Sequence, residues 1–361
     1  MLSVFNNFLL WFDDFVWGVP LIVLILAVGI FLTIRLRVLQ VRQLPRALKY
    51  MVKNEEGGHG EVTSFGALCT ALSATIGTGN IVGVATALVA GGPGALFWMW
   101  IAAFFGMATK YAEGVLAIKY RKVEKDGHVL GGPFYYIERG MGENWRWLAK
   151  IFAFFGAGVG LLGIGTFTQV NGIASAVNGF FDPNNAWTVS LFGMDYSWTV
   201  VITGIILTIC VGLVVIGGIK RIAHVSEIIV PFMAVAYITC CVIILIVNAS
   251  AIPAAFVEII QSAFGLRAVT GGAMGAIIVA MQKGIARGIF SNEAGLGSAP
   301  IAAAAAQTKS TVRQGLVSMT GTFIDTIVIC TMTGLAIVIT GSWNIGLQGV
   351  AVTTNAFVNG L

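Results

Sequence analysis

Ala74-Thr75-Ile76-Gly77-Thr78-Gly79-Asn80 is the most informative stretch of this sequence. It lies in a run from Val62 to Thr109 that contains no charged residue, which is long enough for two membrane spans at roughly 20 apolar residues each. Glycines, threonines and an asparagine crowd the first half of that run. Backbone freed from helical hydrogen bonding at membrane depth persists only where it is buried in protein or lines a cavity. We therefore predict a helix break over 75–80 that binds a polar solute, which favours a transporter.

The composition supports a polytopic membrane protein. Of 361 residues, 57% are hydrophobic and only 10% are charged, too few to cover a soluble surface of this size. The five cysteines fall in apolar stretches without metal-ligand spacing, and the three histidines lie in or beside charged connectors. We expect no zinc site, no catalytic dyad, no organic cofactor and no nucleic-acid partner, and an intramembrane enzyme lacks support.

The apolar windows predict an all-α chain with about eight spans. With alternating spans, all but one of the 21 Lys and Arg residues fall on one side, the exception being Arg267. In this scheme Lys283 and Arg287 mark the inner end of a span. Because basic residues collect on the cytoplasmic side, we expect the N-terminus outside and one membrane domain over 1–361. The predicted spans are 17–34, 64–89, 94–118, 148–179, 197–219, 225–248, 268–290 and 313–341.

A second glycine-rich stretch, Thr270-Gly271-Gly272-Ala273-Met274-Gly275, opens the span 268–290. This span and the span 64–89 run in opposite directions, and paired interrupted helices of opposite polarity point to a secondary transporter. Half-helix N-termini can hold a carboxylate there, and freed carbonyls can hold a cation. The alternative, that these glycines only permit close helix packing, stays open.

Polar side chains in other spans are further candidates. Thr166 and Gln169 lie in the span 148–179, where Gln169 could reach a substrate's ammonium or carboxylate or could bond a neighbouring helix. Asp325 is the only ionisable residue after Arg313. A carboxylate within a span suggests a functional site, here a Na⁺ ligand, a proton carrier or an ion-pair partner, although a hydrated position near a wet vestibule is the alternative.

Four longer motifs resemble those of the bacterial and archaeal alanine/glycine:cation symporters, with matches over roughly residues 60 to 340. They are Gly77-Thr78-Gly79-Asn80-Ile81-Val82-Gly83-Val84-Ala85, Gly91-Gly92-Pro93-Gly94-Ala95-Leu96-Phe97-Trp98-Met99-Trp100-Ile101, Gly131-Gly132-Pro133-Phe134-Tyr135-Tyr136 and Ser291-Asn292-Glu293-Ala294-Gly295-Leu296-Gly297-Ser298-Ala299-Pro300.

The resemblance implies the inverted-repeat amino-acid/sodium symporter fold of the bacterial leucine transporter. Residues 17–60 would form an extra first span and a cytoplasmic connector, 61–250 the first five-span repeat, and 251–361 an incomplete, inverted second repeat. Members of that family have about eleven spans, so we expect 351–361 to be an external loop that leads into a ninth span. The motif 291–300 is expected to be a cytoplasmic loop, with a second break or a gate as the alternatives.

The resemblance also implies roles for individual residues. Asn80 would be a cation ligand, Thr78, Gly79 and Gly275 would face the substrate, and 273–278 would be the second break. Together with the residue-level reasoning, the expected Na⁺ ligands are Asn80, Thr270 and Asp325. The expected substrate-binding residues are Thr75, Ile76, Gly77, Thr78, Gly79, Thr166, Gln169, Gly271, Gly272, Met274 and Gly275.

The predicted function is Na⁺-coupled symport of alanine or glycine by alternating access. We place the chain in the lipid bilayer of a prokaryotic cytoplasmic membrane, with no obligatory protein partner. Proton coupling is the first alternative, and a cation channel or a membrane scaffold in which the glycines serve only packing is a weaker one.

Overall fold

The structure is a computed structural model that describes residues 2–53, 55, 58–163, 165–191, 193–265 and 273–361. The helices are α1 Leu2–Val16, α2 Val19–Arg35, α3 Leu39–Arg42, α4 Leu44–Val52, α5 Ser64–Thr75, α6 Val84–Gly91, α7 Gly94–Tyr120, α8 Pro133–Met141, α9 Arg146–Leu161, α10 Thr166–Phe181, α11 Trp198–Val215, α12 Gly218–Val247, α13 Ile252–Ala263, α14 Ala273–Asn292, α15 Ala299–Ala304, α16 Thr311–Thr322, α17 Thr331–Ile339 and α18 Val350–Gly360. Two hairpins pair β1 Lys122–Val123 with β2 Val129–Leu130, and β3 Thr188–Leu191 with β4 Met194–Ser197. Two π-helical segments, π1 Gly79–Gly83 and π2 Phe323–Cys330, complete the spans around α6 and α17.

Apolar helices long enough to cross a membrane dominate the described residues. Five stretches qualify, and the bent pair Ser64–Thr75 and Gly79–Gly91 makes a sixth. The 17-residue α2 is apolar but shorter. The chain is therefore a multi-pass helical protein, while the predicted count of about eight spans and the inverted repeat stay predictions. The five stretches are Gly94–Tyr120, Glu143–Phe181, Trp198–Val215, Gly218–Val247 and Thr311–Ile339.

The long helix α7 is the scaffold against which α2, α13, α14, α15 and α16 pack. Small residues allow these close approaches: a Cβ added at Gly284 of α14 would lie 2.2 Å from the Ala95 carbonyl oxygen of α7. We call the end of the bundle where α5 begins and α7 ends the lower face. The end where α6 ends and α7 begins is the upper face.

The packing of α14 corrects the expected position of two basic residues. Gly91, at the upper end of α6, lies against Ala280 and against Lys283, whose Cβ is 3.3 Å from an ideal Cβ at Gly91. Lys283 is therefore at the upper end of the bundle, and Arg287 is only one turn below it. The prediction that both mark the inner end of a span was wrong, because the span continues past them for another five residues of helix and then through α15.

Two other segments also differ from expectation. The predicted span 148–179 is divided, since α9 ends at Leu161 and α10 begins at Thr166, with Gly163 and Gly165 at φ of +63° and +87° between them. The stretch 351–361 is not a loop, because 350–360 forms α18. Its Thr353 hydroxyl donates to the Ile81 carbonyl oxygen at 2.9 Å, which ties α18 to π1.

Candidate functional site

The predicted break in the span 64–91 is present. Helix α5 ends at Thr75, π1 begins at Gly79, and the two halves of the span differ in direction by 49°. Side-chain amides occupy two of the freed backbone donors. Gly77 N donates to Asn80 Oδ1 at 2.8 Å, and Thr78 N donates to Gln169 Oε1 at 3.1 Å. These amide oxygens hold two peptide N–H groups that no helix satisfies, so the break is stable at membrane depth.

Asp325 lies in π2 and is fully buried. Its Oδ1 accepts a hydrogen bond from Asn80 Nδ2 at 2.7 Å. Its Oδ2 accepts from Ser291 Oγ at 2.8 Å and from Thr326 Oγ1 at 2.7 Å. Within the described residues every hydrogen-bond donor to this carboxylate is neutral. A buried carboxylate is costly unless a cation or a proton compensates it, so this position is suited to bind one.

Asn80 joins the first break to Asp325. Its Oδ1 is used by Gly77, so its Nδ2 is the atom that faces Asp325 and Ser291, the latter at 3.2 Å from Ser291 Oγ. The structure thus brings together two of the predicted Na⁺ ligands, Asn80 and Asp325. Both lie in π-helical segments, which insert an extra residue in a helical turn and occur frequently at functional sites.

A second break follows α14, between Asn292 and the start of α15 at Ala299. Backbone φ is positive at Glu293, Gly295 and Gly297, which ends the helix. This break is deep in the bundle, because Ala294 and Asn292 lie against Gly106 near the middle of α7. The prediction that 291–300 is a cytoplasmic loop was therefore wrong, and the alternative of a second break is what the structure has.

Two charged residues of α7 lie against the backbone of this second break. Lys110 Nζ donates to the Glu293 carbonyl oxygen at 3.2 Å, and the Glu113 carboxylate lies near the backbone of Gly295 and Gly297. Lys110 is 4% exposed and Glu113 is 7% exposed. Sequence reasoning proposed neither residue for the site, because both follow the uncharged run within the predicted span 94–118. Their spacing of three residues, which places them on one face of α7, was the available signal.

Sequence reasoning also missed the four side chains that complete the buried cluster around Asp325. Asn292 Nδ2 donates to Thr326 Oγ1 at 3.0 Å, so the end of α14 is fixed to π2. The Cys330 sulfur lies 3.3 Å from Asn80 Nδ2. We call the following set the Asp325 cluster: Asn80, Ser291, Asn292, Asp325, Thr326 and Cys330.

A cavity of about 270 Å³ lies beside the first break. Four of the predicted substrate-binding residues line it, namely Thr75, Thr78, Gly79 and Gln169. Gly77 adjoins it, since an ideal Cβ at Gly77 would lie 2.7 Å from the amide of Gln169. The second break contributes Glu293, Leu296 and Ser298 to the wall, and the remaining lining residues are Trp17, Ala74, Val159, Gly165, Thr168 and Phe290.

Other predicted site residues are placed elsewhere. The Ile76 side chain is buried in an apolar cluster with Leu68 and Leu72, and Thr166 is exposed at the start of α10. Met274 and Gly275 are helical in α14, so the expected break at 273–278 was wrong. Gly275 is exposed and lies about 25 Å along the helix from Asn292. Thr270, Gly271 and Gly272 lie outside the described residues.

Comparison with known proteins agrees with this geometry. A model of the sodium:alanine symporter family matches residues 2–361. The chain belongs to the sodium:alanine symporter family. It is 56% identical over 351 residues to an uncharacterized transporter of Haemophilus influenzae, covering 97% of this chain and 73% of that protein. It is 52% identical over 333 residues to the sodium/alanine symporter AgcS of Methanococcus maripaludis, covering 91% and 69%.

A more distant relative has a different named substrate. The chain is 39% identical to the probable sodium/glutamine symporter GlnT of Bacillus subtilis, covering 94% of this chain and 67% of that protein. The resemblance found in the motifs is thus confirmed at the level of the sodium:alanine symporter family. The names of this family, of AgcS and of GlnT describe sodium-coupled amino-acid symport, and the relatives are named as transporters and not as enzymes.

Proposed function

We propose that the chain couples the movement of Na⁺ to the symport of a small neutral amino acid, alanine or glycine, by alternating access. The observation that carries this proposal is the fully buried Asp325 carboxylate, which receives hydrogen bonds from Asn80 and Ser291 at the junction of two helix breaks. Each break has backbone groups without a helical hydrogen bond, and residues of both breaks line the 270 Å³ cavity.

Sodium suits the oxygen atoms of the Asp325 cluster. Asp325, Ser291 and Thr326 offer carboxylate and hydroxyl oxygens, which hard cations prefer. The two hydroxyl groups would turn their protons away from Asp325 and present their oxygens to the ion. The charge of the ion would compensate the buried carboxylate. Asn80 becomes an ion ligand when its amide turns over and presents Oδ1. That rotation releases Gly77 N–H, which then binds the carboxylate of the amino acid. Ion and substrate binding are coupled through this one side chain.

The cavity favours a small substrate. Its volume of about 270 Å³ is below the usual range of roughly 300–1,000 Å³ for pockets that hold drug-sized ligands. Its polar groups include Thr75, Thr78 and Gln169, while Phe290 and Leu296 give it apolar walls. We assign Gln169 and the freed N–H groups of Gly77 and Thr78 to the charged ends of the amino acid. The aliphatic side chain then faces Phe290 and Leu296.

Proton coupling is the second candidate, and the same carboxylate favours it. A proton on Asp325 would compensate its charge as a sodium ion does. The two candidates differ in which gradient drives uptake. We further propose that the lower face is cytoplasmic in a prokaryotic inner membrane, since Lys49, Lys53, Arg121 and Lys122 lie in the connectors there.

Radiolabelled alanine uptake into proteoliposomes tests the proposal. We expect alanine to accumulate at least about 10-fold under an inward Na⁺ gradient and not under an equal K⁺ gradient. Unlabelled glycine should compete with alanine. If accumulation did not depend on Na⁺ but stopped when a pH gradient was collapsed, the coupling ion would be H⁺ and not Na⁺. Absence of accumulation under either gradient would contradict symport.

A further inference from the structure

The two broken spans are joined to each other at the lower face by backbone. The segment 58–62, which leads into α5, pairs with the segment 304–308, which ends α15; we call these two segments the seam. Glu61 N donates to the Ala305 carbonyl oxygen at 2.8 Å, and Gln307 N donates to the Val62 carbonyl oxygen at 2.7 Å. His59 and Thr308 form an antiparallel bridge.

Glycines bring the two segments of the seam into direct backbone contact. An ideal Cβ at Gly58 would lie 2.6 Å from the Thr308 backbone, and one at Gly60 would lie 2.4 Å from Gln307 N. No side chain fits at either position without moving a main chain. The half-helices α5 and α15 are therefore fixed to each other at their lower ends.

One side chain holds both halves of the seam. Arg121, the residue that follows α7, donates through Nη1 to the Ala304 and Ala306 carbonyl oxygens, both at 2.7 Å. Its Nη2 donates to the His59 carbonyl oxygen at 2.6 Å and to that of Thr308 at 3.3 Å. Arginine provides five N–H donors in a rigid planar fork, so a single residue can bind carbonyls from two segments at once.

A very small cavity lies along α5 and α15, between the seam and the 270 Å³ cavity. Thr75 lines the 270 Å³ cavity and also a second cavity of about 20 Å³. The second cavity is just large enough for one water molecule. Small residues of α5, α15 and α16 border it, among them Ala71, Ala303 and Ser318. An amino acid leaving the site toward the lower face must separate α5 from α15, and the seam is what joins them there.

We infer that the seam is the lower-face gate of the transporter and that Arg121 is the positioning residue that keeps it closed. This inference rests on the proposed transport function. Opening requires that Arg121 release the carbonyls of one segment and that the backbone pairs separate. Each of these hydrogen bonds is worth about 1 kcal/mol net. Opening also separates the small buried apolar side chains of Val62, Ala305 and Ala306, which belong to one apolar cluster beside the seam.

A disulfide across the seam tests whether it must open. In His59→Cys/Thr308→Cys the two positions are paired on an antiparallel bridge, a geometry in which Cα atoms lie about 4.5–5.5 Å apart and a disulfide can form. We expect the oxidised protein to bind alanine but to lose at least about 10-fold of its uptake rate, and dithiothreitol to restore it. The control pair is Ser190→Cys/Asp195→Cys, which crosslinks the β3–β4 hairpin and should leave uptake unchanged. Normal uptake by the oxidised seam variant would overturn the proposal.

A labelling experiment tests Arg121 without requiring transport. The reporter is Ala303→Cys, which is buried beside the small cavity, and an impermeant maleimide is added at the lower face. We expect Arg121→Gln to raise the labelling rate at least about 10-fold while the buried Cys241 stays unlabelled. The control is Arg139→Gln, because among the described residues Arg139 donates to the Tyr120 and Arg121 carbonyls at the end of α7 and to no carbonyl of the seam.

The labelling result remains decisive if uptake itself fails. Unchanged labelling of Ala303→Cys in Arg121→Gln would overturn the role of Arg121. If Cys241 also became labelled, Arg121 would contribute to the stability of the whole protein and not specifically to the gate. If the parent protein takes up no alanine but its Ala303→Cys labelling responds to Arg121→Gln, the transport proposal fails while the seam is still an openable contact.

Discussion

The two helix breaks of this protein are held in different ways. At the first break, neutral amides of Asn80 and Gln169 accept hydrogen bonds from the free N–H groups. At the second break, the charged side chains of Lys110 and Glu113, from α7, lie against the backbone. Both breaks border the 270 Å³ cavity, but only at the second does a charged side chain of the scaffold helix α7 donate a hydrogen bond to the backbone, among the described residues. Under the proposed function, we expect the first break to exchange its partners for a substrate and the second to move together with α15.

The Asp325 cluster joins the two breaks, so its loss should have the largest effect. Asp325→Asn removes the charge that accepts from Asn80 and Ser291. Hydrogen bonds to a charged group are worth about 1.5–3 kcal/mol each, so we expect Na⁺-driven alanine uptake to fall about 100-fold. Proteoliposome uptake measures this. Asp195→Asn, at an exposed carboxylate on β4, is the control. If uptake by Asp325→Asn still depended on Na⁺, the ion would not bind at Asp325 between the two breaks.

Lys110 and Glu113 of α7 should contribute more to the stability of the protein than to its affinity for substrate. Lys110→Met leaves Glu113 buried without its positive neighbour, and we expect a loss of about 3 kcal/mol in the free energy of unfolding. The double variant Lys110→Met/Glu113→Gln should be less destabilised than the sum of the single variants. Thermal unfolding in detergent measures both. Strict additivity would indicate that the two residues act independently at the second break.

The contact between π1 and the end of α14 at Gly79 should depend on side-chain size. An ideal Cβ at Gly79 would lie 3.5 Å from Ser291 Cα, which is an ordinary contact distance. We therefore expect Gly79→Ala to retain alanine affinity. Gly79→Val adds two methyl groups in the same space, and overpacking of about 1–3 kcal/mol should weaken alanine binding about 10-fold. Equal affinity in both variants would show that π1 and α14 do not meet at Gly79.

The upper-face hairpin should respond to acid independently of both breaks. Partial burial raises the pKa of Asp182, but hydrogen bonds from Ala186 N, Ser197 Oγ and Trp187 N outweigh it and lower the pKa below its usual value. Because the folded-state pKa is lowered, the stabilisation is present at neutral pH and is lost as the pH falls through that pKa. Hydrogen exchange over 183–197, corrected for intrinsic rates, should be slow at pH 7 and faster near about pH 3.

The matched variant for the hairpin is Asp182→Asn, which lacks the carboxylate. We expect fast exchange over 183–197 at both pH values and no change at the helix breaks. Identical exchange in the original protein at pH 7 and pH 3 would contradict the assigned role of Asp182.

The difference between the breaks also explains what the sequence could predict. Thr75 to Asn80 interrupts a long uncharged run, so its polar residues conflict with the surrounding membrane pattern and the break is readable. The second break follows Lys283 and Arg287, whose charges wrongly predict the inner end of a span. Its own Glu293 is typical of a loop outside the membrane. The tertiary contacts that place these charges cannot be read from local hydropathy.

The Asp325 cluster was predictable only in part. A lone carboxylate in an apolar span identified Asp325, and the family resemblance identified Asn80, within the predicted break, as an ion ligand. Ser291, Asn292 and Thr326 are ordinary residues in their local sequence, and they become partners of Asp325 through packing between distant segments. The seam was not predictable for the same reason, because its bonds use main-chain carbonyls that every residue has.

The central claim is that one ion site at Asp325 orders both breaks together. Hydrogen exchange of the reconstituted protein, over peptides covering 74–82 and 291–298, tests it directly with and without Na⁺. We expect Na⁺ to slow exchange in both peptides at the same ion concentration, and Asp325→Asn to abolish both effects. Protection of only one peptide, or equal exchange with and without Na⁺, would contradict it.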